Sequence, residues 1–113
     1  MGPHMKMYAN YILERLGRDL ILYPDLGFAT FQITEKECYL VDIYVEKPYR
    51  KQDVATRLAD DVVKIAKEKG CTILKGSVDL RAKNPDTSMR ALLSYGLKPY
   101  SAEDSFIIFY KDI

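Results

Sequence analysis

The spacing of apolar and polar positions predicts a short helix followed by three strands in the first part of the chain. Residues 7–16 carry apolar side chains near helical intervals and end at Gly17, as a short amphipathic helix does. Residues 20–23 form a compact apolar run, residues 28–34 alternate, and residues 38–45 are rich in aromatic and β-branched side chains. These three segments predict an antiparallel meander.

After residue 48 the helical period returns. Apolar side chains share one helical face between residues 54 and 66, and Gly70 ends that helix. Residues 72–78 predict a second central strand, Asn84 to Gly96 a second helix of this half, and residues 105–110 a last strand. The order α-β-β-β-α-β-α-β predicts a mixed α/β fold on one sheet, in which the meander is followed by β-α-β-α-β.

Length and charge then bound the class of protein. A chain of 113 residues with 48% hydrophobic residues predicts one compact domain. The net charge is +1, with 17 basic and 16 acidic residues, so no strong field points to nucleic acid or to a membrane surface. There is no apolar run near the ~20 residues that span a bilayer, and no secretory signal. We expect a cytoplasmic protein without membrane contact, and regard nucleic acid as an unlikely partner.

The number of histidines limits the catalytic and metal-binding groups that the chain can use. The single histidine, His4, lies in the segment 1–4, which reads as the remnant of an expression tag, so that one domain covers residues 5–113 without histidine. This excludes Ser-His-Asp and Cys-His catalysis and every metal site that needs histidine. Cys38 and Cys71 are too few for a thiolate zinc site and are expected to be buried thiols, so no metal is predicted. Carboxylates, tyrosines, backbone amides or a cofactor must carry any reaction.

One segment combines a strand end with a positively charged helix start. The strand at residues 43–45 leads through a short turn into the helix that begins near residue 54. A helix N-terminus directly after a strand offers unpaired backbone amides and the positive end of the helix dipole. Lys47, Arg50 and Lys51 add local positive charge. The segment therefore predicts a site for a phosphate-bearing ligand beside a strand edge.

The segment Val45–Ala55 resembles the signature of the GCN5-related N-acetyltransferase (GNAT) family. That signature is a hydrophobic strand followed by R/Q-x-x-G-x-G/A at a helix start. Arg50 matches the Arg/Gln position and Ala55 the final Gly/Ala, whereas Asp53 stands where the family usually has glycine. Farther on, Asn84–Leu97 is similar to the family's N-x-x-S/A…G-F segment, with leucine in place of the phenylalanine.

The resemblance implies the GNAT fold, in which two central parallel strands splay apart, and acetyl-CoA as co-substrate. It implies an N-acetyltransferase in which a primary amine attacks the thioester directly. The acceptor would be an amine-bearing small molecule or a protein. A main-chain amide near Tyr44 or Val45 would polarise the thioester carbonyl. The residues implied to bind the cofactor are Ile43, Val45, Arg50, Lys51, Gln52, Asp53, Val54, Ala55, Thr56 and Asn84.

Three side chains are candidates for the proton transfers. Asp42 is the candidate base, directly or through water, and Tyr44 shares its face of the strand. Tyr95 is the candidate acid for the departing thiolate, because Leu92 occupies the position of the family's tyrosine, four residues before Gly96. Water is the alternative acid. A solvated carboxylate would explain Asp42 equally well, and a tyrosine at the edge of the core would explain Tyr95.

Other functions stay open on the same residues. Asp53 and Leu92 also fit a catalytically degenerate GNAT-fold module, a CoA sensor or a protein-interaction protein. Helix capping would explain Asn84 without any cofactor. In the family that the chain resembles, a first strand and a pair of helices shape the acceptor pocket, whereas only one short helix precedes Leu20 here. The acceptor pocket is therefore expected to be either open to a protein substrate or completed by a partner subunit. A homodimer is therefore possible.

Overall fold

A computed structural model describes the backbone of residues 3–113 and the side chains of residues 6–113. Met1 and Gly2 of the predicted tag lie outside the described residues, and the predicted division into a tag and one domain stays a prediction. The described residues form three α-helices and six strands, in chain order α1 (Pro3–Leu16), β1 (Asp19–Tyr23), β2 (Gly27–Thr34), β3 (Glu37–Val45), α2 (Val54–Glu68), β4 (Ile73–Asp79), α3 (Pro85–Ser94), β5 (Lys98–Glu103) and β6 (Phe106–Asp112), with a 3-10 turn at Lys47–Tyr49.

The six strands form one mixed sheet in the order β1-β2-β3-β4-β6-β5. Only β3 and β4 are parallel neighbours, and every other pair is antiparallel. The predicted antiparallel meander followed by β-α-β is confirmed. β5 is an addition that the sequence pattern did not predict, because most of its side chains are exposed and it contains Pro99. Such a strand lies at a sheet edge, where proline is tolerated and no apolar alternation is needed.

α2 and α3 cover one face of the sheet. Leu58 and Val62 of α2 are fully buried against Phe31 and Leu74 of the sheet, and Leu92 of α3 packs against the same core. α1 lies on the opposite face, where Gly17, the residue directly after α1, lies beside the side chain of Gln32. The alternation of β2 explains this placement, because Gln32 points away from the face that buries Phe31.

The helix starts differ from the sequence expectation. α1 begins at Pro3 rather than at residue 7. Asn84 does occupy the N-cap of α3, but its side chain makes no capping hydrogen bond, so the predicted side-chain cap is wrong. Asn84 instead has a φ of 61°, in the left-handed region. Asparagine tolerates that region better than most residues, which explains the residue type there.

The cysteine prediction is confirmed. Cys38 and Cys71 are free and buried within the core. Burial, and then the neighbouring Cys71, raises the pKa of the Cys38 thiol to about 12, so this thiol stays protonated. None of the helices in the described part of the chain is both long and apolar enough to span a membrane.

Candidate active site

A slot opens in the sheet where β3 and β4 separate. The two strands pair at only three positions, from Glu37 and Ile73 to Tyr39 and Lys75. Beyond these pairs both strands continue, and no further pair joins them among the described residues. A bulge helps to turn β3 away, because Val41 has no partner on β2 between two residues that do. The splayed pair that the resemblance implies is therefore present.

The bulge decides which side chains of β3 face which side of the slot. Ile43 and Val45 point into the core beneath α2. Asp42 and Tyr44 point to the opposite face, where Thr30 Oγ1 donates to Asp42 Oδ2 at 3.4 Å and the Phe28 ring lies 5.7 Å from the Tyr44 ring. One strand thus presents apolar groups to the helices and a carboxylate beside an aromatic pair to the other side.

Three adjoining clefts include and surround the slot. The slot itself is a cleft of about 450 Å³ between β3, β4 and α3. An apolar cleft of about 230 Å³ continues from it between α2 and α3. A third cleft, of about 250 Å³, lies at the start of α2. Ala55 lines all three and therefore stands at their junction.

The cleft at the start of α2, called the anion cleft below, is lined by the backbone of a helix start, which is the kind of structure that can bind anions. Lys51 and Asp53 both have left-handed φ values, 66° and 62°, and α2 begins at Val54 directly after them. The Asp53 carboxylate makes no capping hydrogen bond. The amides of the first helical turn, Val54 to Thr56, therefore lack the partner that a capping side chain would supply. Asp53 adopts the backbone geometry that glycine usually provides, but brings a negative charge into the cleft.

Arg50 connects the anion cleft to the end of β3. Its Nε donates to the carbonyl oxygen of Val45 at 3.0 Å, and its guanidinium carbon lies 5.8 Å from the centroid of the Tyr44 ring. Arg50 lines both the anion cleft and the slot. Its side chain therefore fixes the strand end and one aromatic group of the opposite face, while a positive charge stays beside the first turn of α2. Gln52 supports the same turn by donating to the carbonyl oxygen of Pro48 at 3.2 Å.

Tyr95 lies on the helical face, at the far side of the cleft between α2 and α3. Its hydroxyl donates to Asp60 Oδ1 at 2.6 Å, and Lys111 Nζ lies 4.8 Å from its ring centroid. Burial first, and then the hydrogen bond and charge of Asp60, raises the pKa of Tyr95. The structure does not bring Tyr95 together with Asp42 and Tyr44, which lie on the other face.

Sequence reasoning missed most of the β4 and α3 residues that line the slot. Ser77 on β4 and Thr87 and Ser88 on α3 are polar residues that line it, and the Ser77 hydroxyl is hydrogen-bonded to that of Tyr39. Gly76 lets α3 approach, because a Cβ there would lie 3.2 Å from Leu92 Cδ2. The sequence held a signal for the helical pair, since Thr87 and Ser88 are one turn before Ala91 and Leu92 on the same stripe of α3. Asn84 lines none of the three clefts, and its predicted cofactor contact stays a prediction.

A family comparison matches most of this architecture. The sequence model described as the acetyltransferase (GNAT) family matches residues 10–87, more than half of the chain. The match includes the whole slot-forming part of β3, the anion cleft and α2. A sequence search of curated proteins found no match.

Solved structures share the fold at low sequence identity. The PaiA N-acetyltransferase from Thermoplasma acidophilum, in complex with coenzyme A, has a TM-score of 0.76 and 18% identity over 98% of this chain and 72% of its own. The Bacillus subtilis acetyltransferase in complex with CoA has a TM-score of 0.68 and 15% identity over 98% and 86%. An acetyltransferase from Bacillus cereus has a TM-score of 0.65 and 16% identity over 100% and 94%.

Proposed function

The chain belongs to the GNAT acetyltransferase family, and we propose that it transfers an acetyl group from acetyl-CoA to a primary amine. The observation that carries the proposal is the slot between β3 and β4, which opens at the uncapped start of α2. A thioester in that slot is accessible to an amine from the opposite face of the sheet. Direct attack by the amine needs no histidine, and the segment 5–113 has none.

The residues around the anion cleft fit the diphosphate of coenzyme A. The main-chain amides of Val54, Ala55 and Thr56 point out of a helix start without a capping side chain. Arg50 and Lys51 add positive charge at the same cleft. The pantetheine arm carries amide groups, which suit the edge of β3 that faces β4 at Ile43 and Val45, because β3 and β4 do not pair there, whereas the other edge of β3 pairs with β2.

The chemistry then depends on groups at the two sides of the slot. A main-chain N–H of β3 near Tyr44 or Val45 would donate to the thioester carbonyl and stabilise the charge that develops on its oxygen. Asp42, on the face from which the amine enters, would accept the proton of the ammonium group, directly or through water. Because the Tyr95 hydroxyl donates to Asp60, we favour water as the acid for the departing thiolate. The role of Tyr95 as acid stays a prediction.

The acceptor proton step is tested by Asp42→Asn. If Asp42 is the base, this variant lowers kcat/KM by about 100-fold or more, because general bases typically contribute 10²–10⁴-fold. Its CoA affinity should equal that of the wild type. Thr30→Val is the control for the hydrogen bond alone, and should change kcat/KM much less. Equal turnover of Asp42→Asn and wild type would exclude Asp42 as the base.

A binding module is the second candidate function. Two residues favour it: Asp53 brings a negative charge to the anion cleft, and Leu92 places a methyl-bearing side chain where the family usually has a tyrosine. Such a module would retain the fold and bind CoA or a protein without turnover. The two functions differ in one measurable property, which is acetyl transfer at saturating acetyl-CoA.

The deciding experiment combines binding with turnover. Calorimetry with CoA and acetyl-CoA measures affinity, and mass spectrometry measures acetylated product over a panel of amines that includes polyamines, amino acids and peptides. The enzyme proposal predicts binding of both ligands and at least one acetylated amine. Binding without any product would favour the sensor, and absence of both would reject the proposed cofactor.

A further inference from the structure

The apolar cleft between α2 and α3 extends the slot on the helical face of the sheet. It has a volume of about 230 Å³. Leu40 and Ile43 of β3 line both the slot and this cleft, and so do Ala55, Ala91 and Leu92 of the two helices. The slot and the cleft therefore share one wall, and a group that lies in the slot is next to the cleft.

Two leucines bound the cleft where the α3 region meets β4. Leu92 and Leu97 both line it. They also approach the same point of β4, because a Cβ at Gly76 would lie 3.2 Å from Leu92 Cδ2 and 3.9 Å from Leu97 Cδ2. These are the two positions of residues 84–97 at which leucine stands in place of the tyrosine and the phenylalanine of the family pattern. Two aliphatic side chains therefore bound the cleft where that pattern has aromatic rings.

The cleft offers few hydrogen-bonding partners to a ligand. In the middle turns of α2 and α3, which form its walls, the backbone groups are bonded within the helices. The Tyr95 hydroxyl donates to Asp60, and the other polar side chains of the lining are Thr56 and Ser94, which are exposed. An amide or a charged group in this cleft would lose its water partners without replacement, whereas an apolar chain would not. The cleft therefore suits an apolar group.

We propose that the cleft holds the acyl chain of the donor, and that the protein transfers acyl groups longer than acetyl as well as acetyl itself. An apolar cavity of ~150 Å³ is large enough to bind benzene, so a cleft of about 230 Å³ accommodates a straight chain of about six carbons. The acetyl group, with its single methyl, would fill little of this volume. The inference rests on the proposed transferase function and adds the class of donor to it.

A longer acyl group would be transferred by the same steps as acetyl. The amine nitrogen attacks the thioester carbonyl, so that a C–N bond forms as the C–S bond to coenzyme A breaks. Asp42 would accept the proton of the ammonium group, and water would supply a proton to the thiolate. The acyl chain lies on the helical face, whereas Asp42 points to the opposite face, from which the amine enters. The chain therefore leaves the path of the amine open.

Calorimetry of the full chain with a series of acyl-CoA thioesters tests the site without requiring turnover. Burial of one methylene contributes about fourfold in affinity, and hexanoyl-CoA has four methylenes more than acetyl-CoA. Partial burial of these groups should tighten the binding of hexanoyl-CoA about tenfold relative to acetyl-CoA. Decanoyl-CoA should bind no more tightly than hexanoyl-CoA, because the volume of the cleft limits the chain. Non-specific apolar binding would instead keep increasing with chain length.

Two variants fill the cleft, and a third is the matched control. Leu97→Phe adds a ring inside the cleft, and Ser94→Phe adds one at the exposed end of α3, where a larger side chain does not disturb the core. Each should bring the affinity for hexanoyl-CoA down to that for acetyl-CoA. Leu93→Phe adds the ring at an exposed position that lines none of the three clefts, and should keep the tenfold difference. Melting curves check that each variant is folded.

The outcomes distinguish this inference from the proposed function. Equal affinities of the wild type for acetyl-CoA and hexanoyl-CoA would overturn the acyl site and leave acetyl transfer intact. The same conclusion would follow if Ser94→Phe and a folded Leu97→Phe both kept the preference. Absence of binding by every thioester would overturn both proposals. Mass spectrometry is expected to detect hexanoylated as well as acetylated amine, and tight binding of hexanoyl-CoA without any hexanoylated product would reject the transfer step.

Discussion

The start of α2 and the stripe of α3 that lines the slot both depart from the GNAT pattern, but with different consequences. At the start of α2, Asp53 replaces the usual glycine and still adopts a φ of 62°, so the turn and the free amides persist. On α3, Leu92 replaces the usual tyrosine, and the hydroxyl of Tyr95, just after α3, donates to Asp60 on α2. A function carried by main-chain groups survives a change of side chain, whereas one carried by a hydroxyl is lost with it. We therefore expect cofactor binding to be better preserved than proton transfer.

The largest effect is expected from blocking the junction of the clefts. Ala55→Phe places an aromatic ring where the anion cleft, the slot and the apolar cleft meet. It should weaken CoA binding by about 100-fold, or ~2.7 kcal/mol, by calorimetry. Ala55 is exposed, so the melting temperature should not fall.

The control for this variant is Lys67→Phe, at an exposed position near the other end of α2. It adds the same ring to the same helix and should leave CoA affinity unchanged. If Ala55→Phe binds CoA as the wild type does, the coenzyme does not use this junction.

Introducing a hydroxyl on α3 tests whether the missing tyrosine limits proton transfer to the thiolate. Leu92→Tyr puts a phenol into the slot, and should raise kcat about tenfold at saturating acetyl-CoA if water is the present acid. Leu92→Phe is the matched control, because it adds the ring without the hydroxyl and should give no gain. Equal rates for both variants would show that proton supply does not limit turnover.

Removing the charge at the start of α2 should have a smaller effect. A carboxylate ~4 Å from a phosphate costs ~4 kcal/mol at an effective dielectric of 20, and screening and reorientation reduce this to about 1 kcal/mol. Asp53→Gly should therefore tighten CoA binding about fivefold. Calorimetry at two salt concentrations checks this value, since the gain should shrink at high salt.

Asp25→Gly is the control for Asp53→Gly. Asp25 also has a left-handed φ, 65°, but lies in the turn between β1 and β2. It therefore gives the same change in backbone strain and in net charge, without a change in the anion cleft. A fivefold gain in both variants would assign the effect to net charge rather than to contact with the diphosphate.

The smallest expected effect distinguishes the charge of Arg50 at the anion cleft from its role in positioning Val45 and Tyr44. Arg50→Lys keeps the positive charge but cannot both bond Val45 and stack on Tyr44 as the planar guanidinium does. It should raise the KM for the amine about threefold with little change in CoA affinity. Lys51→Ala should instead weaken CoA binding with little change in the KM for the amine. The Lys51 side chain makes no ion pair or hydrogen bond with any described residue, so only its charge at the anion cleft is lost. If the two variants change the KM for the amine and the CoA affinity in the same way, Arg50 does not position the end of β3.

The sequence predicted the elements whose patterns are strong and local. The apolar stripe of α2 predicted the helix, and the aromatic and β-branched residues of β3 predicted the strand, between which the anion cleft lies. The segment Val45–Ala55 indicated the family. β5 escaped prediction because pairing with β6, rather than burial, holds its backbone in a sheet. The side-chain cap of Asn84 failed because residue type alone does not distinguish a cap from a left-handed turn.

The parts of the site that depend on pairing between distant residues could not be read from the sequence. The bulge at Val41 is set by its pairing with β2 and determines that Ile43 faces the helices while Asp42 faces the other side. The bond from Tyr95 to Asp60 joins residues 35 positions apart. Neither leaves a local signal, so the candidate residues were identified individually but not their division between two faces of the sheet.

A titration of ¹⁵N-labelled protein with CoA, followed by amide resonances, tests the central claim most directly. Main-chain binding of the diphosphate predicts saturable shifts of the Val54, Ala55 and Thr56 amides, together with those of Ile43 and Val45 along the slot. Shifts confined to other parts of the chain, or no shift at millimolar CoA, would contradict the account.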